Sequence, residues 1–149
     1  MEGVRVFKAK KISPGKASGP ALVSPGRLGL RGFADLEKGT FGGGMGDLEG
    51  VSFGKKVWIF PSSKGSTMWS MTLDLACRFG NAPAAMVNSK LDPFVTLGCT
   101  LQNIPLVLVE DERFFEYVKK GDLVTVDADQ GEIRVVRQQE KDSVFRPQE

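Results

Sequence analysis

The 149-residue chain contains no histidine. That absence excludes every mechanism needing an imidazole from this polypeptide: Ser–His and Cys–His nucleophiles, His-containing zinc sites and phosphohistidine carriers. Any chemistry here rests on another group. Cysteine is scarce as well. Cys77 and Cys99 stand far apart in apolar surroundings, which leaves neither a CxxC redox pair nor a self-sufficient zinc or iron–sulfur site; two buried thiols are expected. Long apolar runs are missing, and the opening Met1-Glu2-Gly3-Val4-Arg5-Val6 carries an acidic residue and alternates like a strand rather than a secretory signal. A reduced, cytoplasmic protein without a membrane partner is the expectation. Charge of one sign is also lacking: 20 Lys and Arg against 18 Asp and Glu leave +2, too little to make nucleic acid the expected partner.

What is present suits one folded domain. Apolar residues make up 41% and charged residues 26%, the balance of a globular protein. The length fits the scale of about 100–200 residues for a single domain, with residues 1–137 as the domain and 138–149 as a polar C-terminal tail. Residues 4–11 alternate as a strand running into the turn Ile12-Ser13-Pro14-Gly15. Residues 19–24 give a second short strand before Pro25-Gly26, and residues 26–54, interrupted by glycines, read as a long loop with one or two short strands.

The centre has a different pattern. Lys56-Val57-Trp58-Ile59-Phe60 is a continuous apolar run suited to a strand buried on both faces. A largely buried helix is expected over 67–79, with Met68, Met71 and Leu75 on one stripe and Trp69, Leu73, Ala76 and Cys77 on another; Asp74 and Arg78 form an i,i+4 pair. Residues 84–87 form a strand, Asp92 caps a helix with Pro93 at its first position, and 105–109 form the third strand. A short helix over 112–119 and a hairpin of 123–126 with 132–136 complete the series. The fold class is therefore mixed α/β, a layered β/β/α domain with a parallel βαβαβ centre, right-handed crossovers and antiparallel terminal strands.

One segment carries candidate chemistry: Phe60-Pro61-Ser62-Ser63-Lys64-Gly65-Ser66-Thr67, between a buried strand and a helix. The first amides of a helix lack internal partners and sit at the positive end of its dipole, so carboxylates and phosphates bind there. Gly65 permits close backbone approach, Lys64 adds a full charge, and Ser62, Ser63, Ser66 and Thr67 offer hydroxyls. A small anionic substrate is the natural guest at this edge of a parallel sheet. The plain alternative is a polar loop with Ser66 as a helix cap. The segment is not a Walker A loop, because the GxxxxGK[ST] order is missing. Asp127-Ala128-Asp129-Gln130-Gly131 lacks the later ligands of a calcium loop and suits a hairpin turn, and Lys8, Lys10, Lys11 and Lys16 read as solvated surface.

Taken together, Ile12-Ser13-Pro14-Gly15-Lys16-Ala17-Ser18-Gly19-Pro20, Gly54-Lys55-Lys56-Val57, the serine loop, Asn81-Ala82-Pro83-Ala84-Ala85-Met86-Val87, Asp92-Pro93 and Ile104-Pro105-Leu106-Val107 resemble the small subunit, or swivel domain, of the aconitase X-type dehydratases. The resemblance implies a swivelling β/β/α fold and one half of a heterodimeric hydro-lyase, active only with a large aconitase-like subunit that holds an iron–sulfur cluster. It implies Ser66 as the catalytic serine, with Ser62, Ser63, Lys64, Gly65 and Thr67 around the substrate. The family includes dehydratases of cis-3-hydroxy-L-proline and of (R)-5-phosphomevalonate. Where many relatives place an Asp and a His before Pro-Leu, this chain has Gly43 and Gly46, followed by Asp47-Leu48-Glu49-Gly50. That loop is unlike the phosphomevalonate form, so cis-3-hydroxy-L-proline is the expected substrate and (R)-5-phosphomevalonate the alternative. A non-catalytic module that binds an anion or a partner through the same loop is the competing class.

Overall fold

A computed structural model describes residues 3–29 and 34–137. The expected tail 138–149 and residues 30–33 of the glycine-rich stretch lie outside the described residues. The strands are β1 (Val4–Lys8), β2 (Lys10–Ser13), β3 (Lys16–Val23), the short pair β4 (Ala34–Asp35) and β5 (Thr40–Phe41), β6 (Val57–Ile59), β7 (Ala85–Asn88), β8 (Leu106–Leu108), β9 (Leu123–Asp127) and β10 (Glu132–Val136). The helices are α1 (Trp69–Arg78), α2 (Pro93–Leu101) and α3 (Glu112–Tyr117), with a 3-10 turn over Gly46–Leu48.

Eight strands run in the order β1-β10-β9-β3-β6-β7-β8-β2. β3 joins two halves. Its first part pairs antiparallel with β9, from Lys16 opposite Asp127 to Pro20 opposite Leu123; its last three residues pair parallel with β6, Ala21 opposite Val57. Parallel pairing continues from β6 to β7 and from β7 to β8. The expected single strand over 4–11 is two strands: Ala9 donates its N–H to Gly131 O at 2.9 Å, β1 continues onto β10, and β2 crosses to pair with β8. The break falls at Ala9, and neither a glycine nor a proline within residues 4–13 marks it; of the apolar residues in β1 it is Phe7 that is buried, while Val4 and Val6 are exposed.

The alternation of side chains along each central strand divides the interior. Val57 and Ile59 of β6, Ala85 and Val87 of β7, and Val107 of β8 join Val124, Val126, Ile133 and Val135 in a core between the two sheet halves. Trp58, Met86 and Leu106 point the other way, into a second core with Trp69 and Leu73 of α1 and Val95 and Cys99 of α2. The three layers are those expected. Trp58 is wholly buried and satisfies its indole by donating Nε1–H to Phe53 O at 2.7 Å.

Two local expectations are corrected. α1 begins at Trp69, not at residue 67, and buries only the stripe of Trp69, Leu73 and Ala76, leaving Met71, Leu75 and Phe79 exposed. Cys99 is buried, whereas Cys77 is only half-buried, on the flank between the two stripes.

Candidate functional site

The serine loop leaves the C-terminal end of β6 and enters α1, at the edge where β7 and β8 also end. Its two ends are held together: the rings of Phe60 and Trp69 stack with centroids 5.9 Å apart and planes 9° from parallel. Asn88, buried at the end of β7, donates Nδ2–H to Phe60 O at 3.0 Å, and Ser89 and Lys90 donate their amides to Pro61 O. On the other side the loop pairs with the segment after β3. Leu28 N–H donates to Ser62 O and Lys64 N–H to Leu28 O, each at 3.0 Å, with Leu28 itself buried. The aliphatic stem of Lys64 lies along Gly29.

Within this frame the six candidate residues separate. Ser63 is 5% exposed. Its hydroxyl donates to Asp92 Oδ2 and accepts from Gly65 N–H at 2.9 Å, and its own N–H donates to the same Asp92 oxygen at 3.3 Å. The hydroxyl proton and one of its lone pairs are thus engaged inside the protein, and Ser63 braces the loop. The Gly65 amide is engaged too, and Gly65 takes φ +81, which a side chain would resist. Ser66 accepts from Met68 N–H at 3.1 Å, and Trp69 N–H donates to Ser66 O at 3.3 Å. Ser66 therefore closes a turn just ahead of α1 instead of capping the helix directly. Among the described residues no acceptor is shown for the Ser66 hydroxyl proton or for the Ser66 and Thr67 amides, while Lys64 and Thr67 are exposed.

Asp92 is the residue that sequence reasoning placed only as a cap. It is that: Oδ1 accepts from Phe94 N–H at 2.9 Å and Val95 N–H at 3.2 Å at the start of α2. Its other oxygen reaches across to Ser63. Partial burial pushes the carboxyl up, but the Ser63 hydroxyl and the amides of Val95, Phe94 and Ser63 outweigh it and hold the carboxyl below the usual carboxylate range. The Asp-Pro signature marks the cap; only the crossover geometry reveals the second contact.

Beside the loop, on the side of α3, a cleft of about 460 Å³ opens along the same sheet edge, lined by Ser24, Pro61, Ser89, Lys90, Glu110 and Glu112 among others. Its lining sets two carboxylates, Glu110 and Glu112, against one ammonium, Lys90, a balance that disfavours an anion there.

The iron–sulfur cluster implied by the resemblance does not fit this chain's own donors. Desolvation, then the neighbouring Cys77, push the Cys99 thiol up to about 12, and Cys77 is raised by desolvation and by Asp74. Cluster ligands are thiolates. Among the described residues no three His, Cys, Asp or Glu side chains group as metal ligands. No helix among them is long and apolar enough to cross a membrane.

The family model described as the aconitase X swivel domain matches residues 6–135. The chain is 37% identical over 130 residues to the phosphomevalonate dehydratase small subunit of Archaeoglobus fulgidus, covering 87% of this chain and 98% of that one. It is 40% identical over 122 residues to the protein of the same name from Methanothrix thermoacetophila, covering 82% and 88%. The crystal structure of Thermococcus kodakaraensis aconitase X in its holo-form superposes with a TM-score of 0.80 at 32% identity, over 89% of this chain and 99% of that chain.

Proposed function

The chain belongs to the aconitase X swivel-domain family, and from that premise we propose that it joins a large aconitase-like subunit in an enzyme that dehydrates (R)-5-phosphomevalonate. The relatives that it matches over nearly their whole length carry that substrate in their names, which favours it over cis-3-hydroxy-L-proline. The loop on which the hydroxyproline expectation rested is tied to the far end of the sheet. Gly50 N–H donates to Phe41 O and Phe53 N–H to Gly39 O; Asn81, just past the C-terminal end of α1, donates to Leu36 O and Glu37 O; Lys55, at the entry to β6, donates to Ala82 O. A departure there is a poor guide to what binds at the serine loop.

The observation that carries the reading is the state of Ser66. In this reading it takes the proton from the carbon next to the substrate carboxylate. A serine hydroxyl is a weak base in water, and its conjugate alkoxide needs support. Met68 N–H already points at Ser66 Oγ from 3.1 Å, the positive end of the α1 dipole lies behind it, and Lys64 adds charge of the same sign. The amides of Ser66 and Thr67, the hydroxyls of Ser62 and Thr67 and the Lys64 ammonium take the substrate's anionic groups. Gly65 gives the turn its shape. The cluster has its ligands on the large subunit, and the isolated chain is inactive.

Co-expression with the large subunit and assay of both substrates tests this. A site that pairs its polar groups with a phosphate rejects a ligand lacking one by about 10⁴-fold, so kcat/KM for (R)-5-phosphomevalonate exceeds that for cis-3-hydroxy-L-proline by that order. Equal or reversed preference overturns the substrate; a complex that forms but turns over neither favours the non-catalytic module.

A further inference from the structure

We propose that Asp92 is a positioning residue for the serine loop, acting through Ser63; the proposal rests on the reading of that loop as the substrate site. A helix cap needs one carboxylate oxygen, and Oδ1 alone serves the Phe94 and Val95 amides. Oδ2 is surplus to that task. It accepts both the hydroxyl and the amide of Ser63, a residue of the preceding crossover. Donating to Asp92 fixes the Ser63 hydroxyl proton, which turns its lone pair toward Gly65 N–H at 2.9 Å. The relay runs from α2 through Ser63 to Gly65, the residue before Ser66. It withdraws the Ser63 hydroxyl and Gly65 amide from the substrate and sets the orientation in which Ser66 and Thr67 present theirs. At 5% exposure Ser63 has little water to replace a lost acceptor, so the loop must shift to satisfy the hydroxyl elsewhere.

The test is made in the assembled two-subunit enzyme. Asp92→Asn keeps an oxygen for the α2 amides but loses one of its two acceptors, while Ser63→Ala removes the relay and leaves the α2 cap whole. Each single variant is expected to lose about 100-fold in kcat, the scale of an ångström of misplacement, with assembly unchanged and faster amide hydrogen exchange at Gly65. The double variant loses no more than the worse single, because the two residues act as one unit. Losses that multiply, or an Asp92→Asn enzyme with parental kcat and parental exchange at Gly65, overturn the proposal. Ser66→Ala, assayed in parallel, separates this from the catalytic reading. If Ser66→Ala is fully active while the Asp92 and Ser63 losses coincide, positioning stands and the base assignment falls; if Ser66→Ala is inactive and Ser63→Ala is parental, positioning falls alone. Should Asp92→Asn fail to assemble, Ser63→Ala decides by the same kcat and exchange readouts.

Discussion

Ser63 and Ser66 share a residue type and a loop but not an environment. One is turned inward onto Asp92 and Gly65; the other accepts a single amide, and among the described residues no acceptor is shown for its proton. The sequence offers four hydroxyls in the segment 62–67 and cannot rank them, since burial and partner depend on the neighbouring crossover. Asp92 was legible as a cap because Asp-Pro has a local meaning, while its reach to Ser63 is a tertiary fact. The acid behaviour of Asp92 follows from its contacts. Its carboxyl sits below the usual range in the folded state, so its contribution to stability is present above the unfolded value near 3.9 and is lost as pH falls through the lowered one. Urea midpoints taken at pH 7 and pH 3 are expected to fall further for the parent than for Asp92→Asn. An equal or smaller fall in the parent contradicts the hydrogen-bond assignment.

At the level of elements, α2 matched its signals because Asp92 and Pro93 specify its start locally, and Asp74 and Arg78 pair at 2.9 Å as their spacing requires. The start of α1 did not, because Ser66 spends its acceptor on Met68 within a turn that precedes the helix. Two apolar stripes in the sequence of α1 also concealed which one is buried. The packing of α1 on α2 decides it, and that packing depends on Gly98. A Cβ built there would lie 2.7 Å from Leu73 Cδ1 and 3.3 Å from Ser70 Cα. Leu73 is wholly buried, and a close-packed interior resists displacement of such a side chain. Gly98→Ala gains about 1 kcal/mol in helix propensity but incurs about 1–3 kcal/mol of overpacking, so a net loss of stability is expected in chemical denaturation. A stabilised variant would show that the helices are not in such close contact.

Across the whole molecule, the layers were legible and the closure was not. Short apolar runs at β6, β7 and β8, separated by helical segments, specify a parallel centre covered on both faces. The route of the N-terminal strands is set by which edges lack a partner, a property of the assembled sheet, and so β1 and β2 end at opposite sides of the strand order although one residue separates them. The β6–β7–β8 centre places the serine loop, the α2 cap and the cleft along one edge, while residues 36–53 are tied to the exit of α1 and to one another, so a comparison confined to residues 43–50 carries little information about the serine loop. The central claim is that this edge supplies a base to a substrate held with the help of a companion subunit. The most direct measurement is the steady-state kinetics of Ser66→Ala in the assembled enzyme with (R)-5-phosphomevalonate. Loss of the base is expected to lower kcat by about 10²–10⁴-fold while the complex forms and KM changes little; a variant that assembles and turns over at the parental rate contradicts the account.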